Sequence, residues 1–128
     1  MKRARPKLHK ISEEMKAWSA ALAEEVASWP QVSLRPMFGF LGAYHANKIF
    51  AALPRTRTMD PPNSVAFKLP VANKRLRAKA QRDKRIHFAD MAHGSWLTFA
   101  MSSDADVNPV LEWLGRAYEV ASPQQKKK

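Results

Sequence analysis

What most constrains this chain is a change of hydrophobic period along it. After Ser12 the apolar residues Met15, Trp18, Leu22, Val26 and Trp29 recur every three or four positions, forming one face of an amphipathic helix. Ser12 is placed to cap that helix, and Glu13 and Glu14 suit the positive end of its dipole. Pro30 ends it, because the residue before a proline is pushed out of the α region. Beyond Pro30 the period falls to two. Val32, Leu34 and Pro36 alternate with polar neighbours, and Met37–Tyr44, Ile49–Leu53 and Ser64–Leu69 follow as further strands. His45-Ala46-Asn47-Lys48 reads as a hairpin turn with Asn47 the candidate for positive φ. Residues 54–63, with Pro54, Pro61 and Pro62, read as a long loop.

Pro70 is expected to open a second helix running to about Arg82, with Ala72, Leu76 and Ala80 along its buried side. Arg85–Ala89 and Ser95–Met101 return to the strand pattern. Asp104 or Asp106 is expected to cap a last helix whose stripe is Val107, Val110, Leu111, Leu114, Tyr118 and Ala121. The order predicts an α+β fold: an antiparallel sheet of about five strands, joined mainly by hairpins, with N-terminal, middle and C-terminal helices packed on it. One domain over residues 11–123 is expected, between basic tails at 1–10 and 124–128 that are expected to be disordered.

There is no cysteine, which excludes disulfides, thiolate metal sites and a cysteine nucleophile. The basic N-terminus leads into no apolar run, and no stretch has the length to cross a bilayer, so a cytoplasmic protein without membrane partners is expected. The formal charge is +11. Its distribution is more informative than its size, because eight of those charges sit in the two tails. The remainder holds 14 basic and 11 acidic residues, a net of +3. Within it, Lys68, Lys74, Arg75, Arg77, Lys79, Arg82, Lys84 and Arg85 face the single acid Asp83, a local net of +7. Residues 11–34 and 86–123 are net −3 and −4.

That basic run is the foremost candidate site. Lys74, Arg75, Arg77, Lys79, Arg82, Lys84 and Arg85 would contact nucleic-acid phosphates by releasing counterions, against the alternative of a solvated helix face. Its bracketing aromatics, Phe67 and Phe88, both read as core, so base stacking is not expected there. Arg55-Thr56-Arg57-Thr58 offers Arg55 and Arg57 as an anion-binding loop, or simply an exposed one. His87, Asp90 and His93 have a spacing compatible with metal ligation, but nothing in it fixes convergence, and no metal or cofactor is expected. Met37-Phe38-Gly39 is either a ligand-facing lip or, as expected, core packing with glycine allowing a bulge or close approach at 39 and 42. No nucleophile elbow, phosphate loop, dinucleotide fingerprint or paired carboxylates occur, so no catalytic residues are assigned.

Arg35-Pro36-Met37-Phe38-Gly39-Phe40-Leu41-Gly42-Ala43-Tyr44, then Ile49-Phe50-Ala51-Ala52-Leu53 and Ala66-Phe67-Lys68-Leu69, resemble the TfoX N-terminal-domain family. Leu111-Glu112-Trp113-Leu114-Gly115-Arg116-Ala117-Tyr118 resembles the family's closing helix. It also resembles YjbR-like proteins and the small luciferase-like domains of unknown role. The resemblance implies a compact sheet with helices, a regulatory setting for TfoX-like members and DNA binding for YjbR-like ones. A non-catalytic binding or regulatory protein contacting DNA or RNA is therefore expected. The alternatives are a protein-interaction adaptor using a sheet face or edge, and a small-molecule binder or enzyme. A pocket joining Arg55 and Arg57 to the His87–His93 segment would favour the last.

Overall fold

The computed structural model describes residues 9–58, 63–88 and 95–122. Its elements are β1 (His9–Lys10), α1 (Glu13–Ala27), β2 (Val32–Met37), β3 (Phe40–His45), β4 (Lys48–Pro54), β5 (Arg57–Thr58), β6 (Ser64–Lys68), α2 (Lys74–Gln81), β7 (Ile86–Phe88), β8 (Trp96–Ala100) and α3 (Val107–Val120). A short 3-10 turn, Asp104–Asp106, leads into α3. Six strands form one antiparallel sheet in the order β2-β3-β4-β6-β8-β7. The fold is α+β as the alternation of periods predicts, with six strands in the main sheet rather than about five. None of the helices among the described residues is long and apolar enough to cross a membrane.

The α1 stripe is buried as its spacing dictates: Met15, Trp18, Leu22 and Val26 pack into the main core, each contributing about 1.5–3 kcal/mol of transfer free energy. The Ser12 hydroxyl accepts from the Met15 N–H at 3.0 Å and caps the helix. α1 and α3 share one face of the sheet, with Trp113 of α3 stacked on Phe67 at 5.7 Å between centroids. Cross-strand partners alternate between the two faces. Ala51 and Phe67 pair on the helix side; the next pair, Ala52 and Ala66, joins Phe40, Met37 and Trp96 in a smaller cluster on the other. A bulge lets Phe50 break this alternation. Ala43 opposes Ala51 and Tyr44 opposes Ile49, so Phe50 is the extra residue and packs with Ala51 on the helix side. There it meets Trp29 and Tyr118. The buried His45 ring completes this cluster, 4.0 Å from the Tyr118 ring and parallel to within 8°.

Several local expectations are corrected. Met37–Tyr44 is not one strand. It reverses at Phe38-Gly39, whose φ values of 49° and 86° make a two-residue turn with both residues left-handed. Phe38 is therefore not core but 88% exposed. Asn-Gly is the usual choice here, and a bulky residue at positive φ costs on the order of 1 kcal/mol. In the β3–β4 turn the positive φ falls on Ala46 (58°), not Asn47. α2 begins at Lys74 rather than Pro70, because the Asn73 side chain caps it by accepting from the Leu76 N–H at 3.2 Å. Ala72 lies in the preceding turn and is exposed. Neither Asp104 nor Asp106 caps α3 through its side chain. Ser103 caps the 3-10 turn, and Asp106 reaches back to the Ser103 N–H in a capping box. Asp104 accepts from Trp18 Nε1 at 2.6 Å. His9 and Lys10, read from sequence as part of a disordered tail, pair with Thr58 and Arg57.

Candidate nucleic-acid interface

The basic run folds into the end of β6, a turn, α2 and the turn before β7. Ala80 is buried and Leu76 half-buried, which fixes the rotation of α2 and leaves Lys74, Arg75, Lys79 and Arg82 exposed; Lys84 is exposed beyond it. This pattern does not favour the helix. The first turn carries Lys74, Arg75 and Arg77 at the positive end of the dipole with no acid to offset them. Arg75, Lys79 and Arg82 then fall at i, i+4 and i+7, stacking like charges on one face. Each effect costs a few tenths of a kcal/mol, and all have the same sign. Lys79 in the last turn and Arg82 at the C-cap suit the negative end of the dipole, so the cost of the charge falls on the first turn and on the like-charged face.

That face looks toward α3. A groove of about 480 Å³ is lined by Arg75, Leu76, Ala78, Lys79, Arg82 and Arg116, four cations and no carboxylate. Arg116 lies over the Trp113 ring, its guanidinium carbon 4.5 Å from the centroid. Lys79, Arg82 and Arg116 also line an adjoining shallow groove of about 760 Å³, where Lys84 and Arg85 join them and Asp83 and Glu112 enter. Arg116 was not singled out in the sequence because it is a lone cation on α3. Only the fold, which sets α3 across the groove from α2, brings it there.

Two of the sequence-predicted contacts have other work. Arg77 donates to the Leu69 carbonyl at 2.9 Å and lies over the Phe88 ring, which staples the turn before α2 to β7. Arg85 donates through Nε and Nη2 to Asp83, both at 2.9 Å, and through Nη1 to Asp106 at 3.1 Å. Among the described residues these are the only ion pairs. The Arg85 bonds hold the Asp83 carboxyl below its usual range, and Asp83 in turn raises the Arg85 guanidinium. Phe88 is less buried than expected, 37% exposed, whereas Phe67 is core.

The Arg55–Arg57 loop lies elsewhere. Its backbone N–H groups are not free for an anion: those of Arg55, Thr56 and Arg57 all point at the Gly39 carbonyl, at 3.0, 2.9 and 3.2 Å. The Arg55 and Arg57 side chains remain exposed. This loop follows β4, and His87 sits on edge strand β7, three strand spacings away, about 14 Å. The strand order thus sets Arg55 and Arg57 apart from His87. Asp90 and His93 lie outside the described residues. Among the described residues no group of three or more His, Asp or Glu side chains is placed to hold a metal ion.

Comparison of the chain with protein-family models, with curated proteins and with solved structures gives no match.

Proposed function

We propose that this protein acts by binding, not catalysis, and that it holds a nucleic-acid backbone in the groove between α2 and α3. The observation that carries this reading is the lining of that groove by Arg75, Lys79, Arg82 and Arg116 without a carboxylate. Four cations lining one groove favour an anion there, and Asp83 and Glu112 enter only the adjoining groove. From Arg75 to Arg82 the helix rises about 10 Å, the axial rise of roughly three base pairs of duplex. Lys74 and Lys84 extend the positive surface at either end. The resemblance to YjbR-like proteins points the same way.

Contact is made to phosphates, so affinity depends strongly on salt and weakly on sequence. The test is a titration of a labelled duplex, repeated across salt concentrations, with Arg75→Glu, Lys79→Glu and Arg82→Glu combined. The variant is expected to bind at least tenfold more weakly at low salt and to show a shallower salt dependence, by about 0.9 in log–log slope per phosphate lost. Equal affinity and slope for the variant and the wild type would refute the reading.

A further inference from the structure

Phe38 is the most exposed large apolar side chain among the described residues, and nothing in the fold accounts for it. Its ring contributes almost nothing to the core at 88% exposure. Its backbone sits at φ 49°, where asparagine or glycine is at ease and an aromatic is strained. The residue present thus brings a backbone cost and no burial to offset it. An outlier of this kind points to a contact outside the chain.

The surroundings say what that contact is. Because the Gly39 carbonyl gathers the Arg55, Thr56 and Arg57 N–H groups, the 55–57 loop is fixed directly against the Phe38 turn. The Arg57 side-chain stem lies so close over Gly39 that an added Cβ there would sit 2.7 Å from Arg57 Cγ. Exposed Arg55 and Arg57 thus belong to a loop held beside an exposed aromatic, and exposed Lys10 pairs with Arg57 across β1 and β5. From Val26 to Met59 the chain contains no Asp or Glu. The complementary partner presents a flat apolar face with negative charge next to it, which describes an unpaired nucleobase on its phosphate backbone. A lipid surface fits less well, because interfacial binding scales with apolar area and this tip offers a single ring.

We propose that the Phe38 tip is a single-strand nucleic-acid contact: Phe38 stacks on an unpaired base while Arg55 and Arg57 take the adjoining phosphates. The site shares its ligand class with the α2–α3 groove but none of its residues, so each can fail without the other.

The experiment titrates a labelled twelve-nucleotide thymidine strand, a duplex and phosphatidylserine vesicles against wild type, Phe38→Asn, Phe38→Trp and the Arg75/Lys79/Arg82→Glu variant. Asparagine suits this turn, so Phe38→Asn is expected to fold, which circular dichroism checks. The expected result is a loss of single-strand affinity of about 5- to 100-fold in Phe38→Asn, retention in Phe38→Trp and unchanged duplex binding in both. The tip proposal stands, and the groove reading falls, if Phe38→Asn behaves so while the α2 variant binds duplex like wild type. Three outcomes would overturn the tip proposal: Phe38→Asn binding the strand as tightly as wild type, wild type binding no strand at low salt, or a Phe38-dependent affinity confined to phosphatidylserine vesicles.

Discussion

Arg85 Nη1 lies 3.1 Å from Asp106 Oδ1, a link across 21 positions that ties the turn before β7 to the entry of α3. The same guanidinium grips Asp83 and lies over the Phe99 ring at 4.7 Å. Asp106 is buried and also accepts from the Ser102 N–H at 2.7 Å, the Ser103 N–H at 3.3 Å and the Ser102 hydroxyl at 3.2 Å. One carboxylate thus organises the whole approach to the last helix.

These donors, the Ser102 N–H foremost and then Arg85, hold the Asp106 carboxyl below its usual range against the opposing effect of burial. Asp83 is shifted the same way by Arg85. A folded-state pKa below the unfolded one means that the stabilisation is complete above the ordinary carboxylate value of about 3.9 and is lost as pH falls through the depressed value. Stability of the wild type is expected to decline as pH falls below about 4. Asp106→Asn is expected to cost about 2 kcal/mol at pH 7 and to flatten the acid limb. Urea unfolding between pH 3 and pH 7 measures both, and parallel acid limbs would contradict the assignment.

The alternation of periods made the helices, the sheet and most of the core legible in advance, because Met15, Trp18, Leu22, Val26, Val65, Phe67 and Leu97 obey it. The departures have local causes. Phe38-Gly39 is not a recognised hairpin pair, so the reversal between β2 and β3 was hidden inside an apolar run. Phe50 faces the helices only through a bulge. Asn73, a capping residue, outcompeted Pro70 as the start of α2. For the candidate site, the cations of α2 were visible as a charge run. What sequence could not show is that Arg77 and Arg85 are bonded to Leu69, Asp83 and Asp106, or that Arg116 arrives from another helix.

The β2–β3 turn makes an opposed pair of predictions. Phe38→Asn places a residue tolerant of positive φ where Phe38 gains nothing from burial, and is expected to leave stability unchanged or raise it by up to about 1 kcal/mol. Gly39→Ala puts a Cβ 2.7 Å from Arg57 Cγ and 2.9 Å from its Cβ at φ 86°, and is expected to cost about 1–3 kcal/mol. Thermal denaturation of the two variants side by side tests the sign of each.

Tyr118 is expected to show two separable contributions. Its hydroxyl donates to the Pro30 carbonyl at 2.9 Å, holding the end of α3 to the turn after α1. Tyr118→Phe removes that bond alone and should cost about 1 kcal/mol. Tyr118→Ala also removes the half-buried ring from among His45, Trp29 and Phe50, and should cost about 2–3 kcal/mol. A near-equal loss in the two variants, read from urea midpoints, would show that the ring cluster contributes little.

Cations of the basic run are expected to divide into those that hold the fold and those that hold a ligand. Arg77→Ala loses the Leu69 carbonyl bond and the contact over Phe88, and should destabilise by about 1–2 kcal/mol while leaving the salt dependence of duplex binding unchanged. Arg82→Ala loses an exposed charge at the C-cap of α2, and should change stability by no more than about 0.5 kcal/mol. Its log–log salt slope should fall by about 0.9, the signature of one phosphate contact. Arg116→Ala should follow Arg82→Ala in slope, because both line the same groove. Paired melting and salt titrations of the three variants decide the matter. A changed slope for Arg77→Ala, with none for Arg82→Ala and Arg116→Ala, would place the ligand away from the groove between α2 and α3.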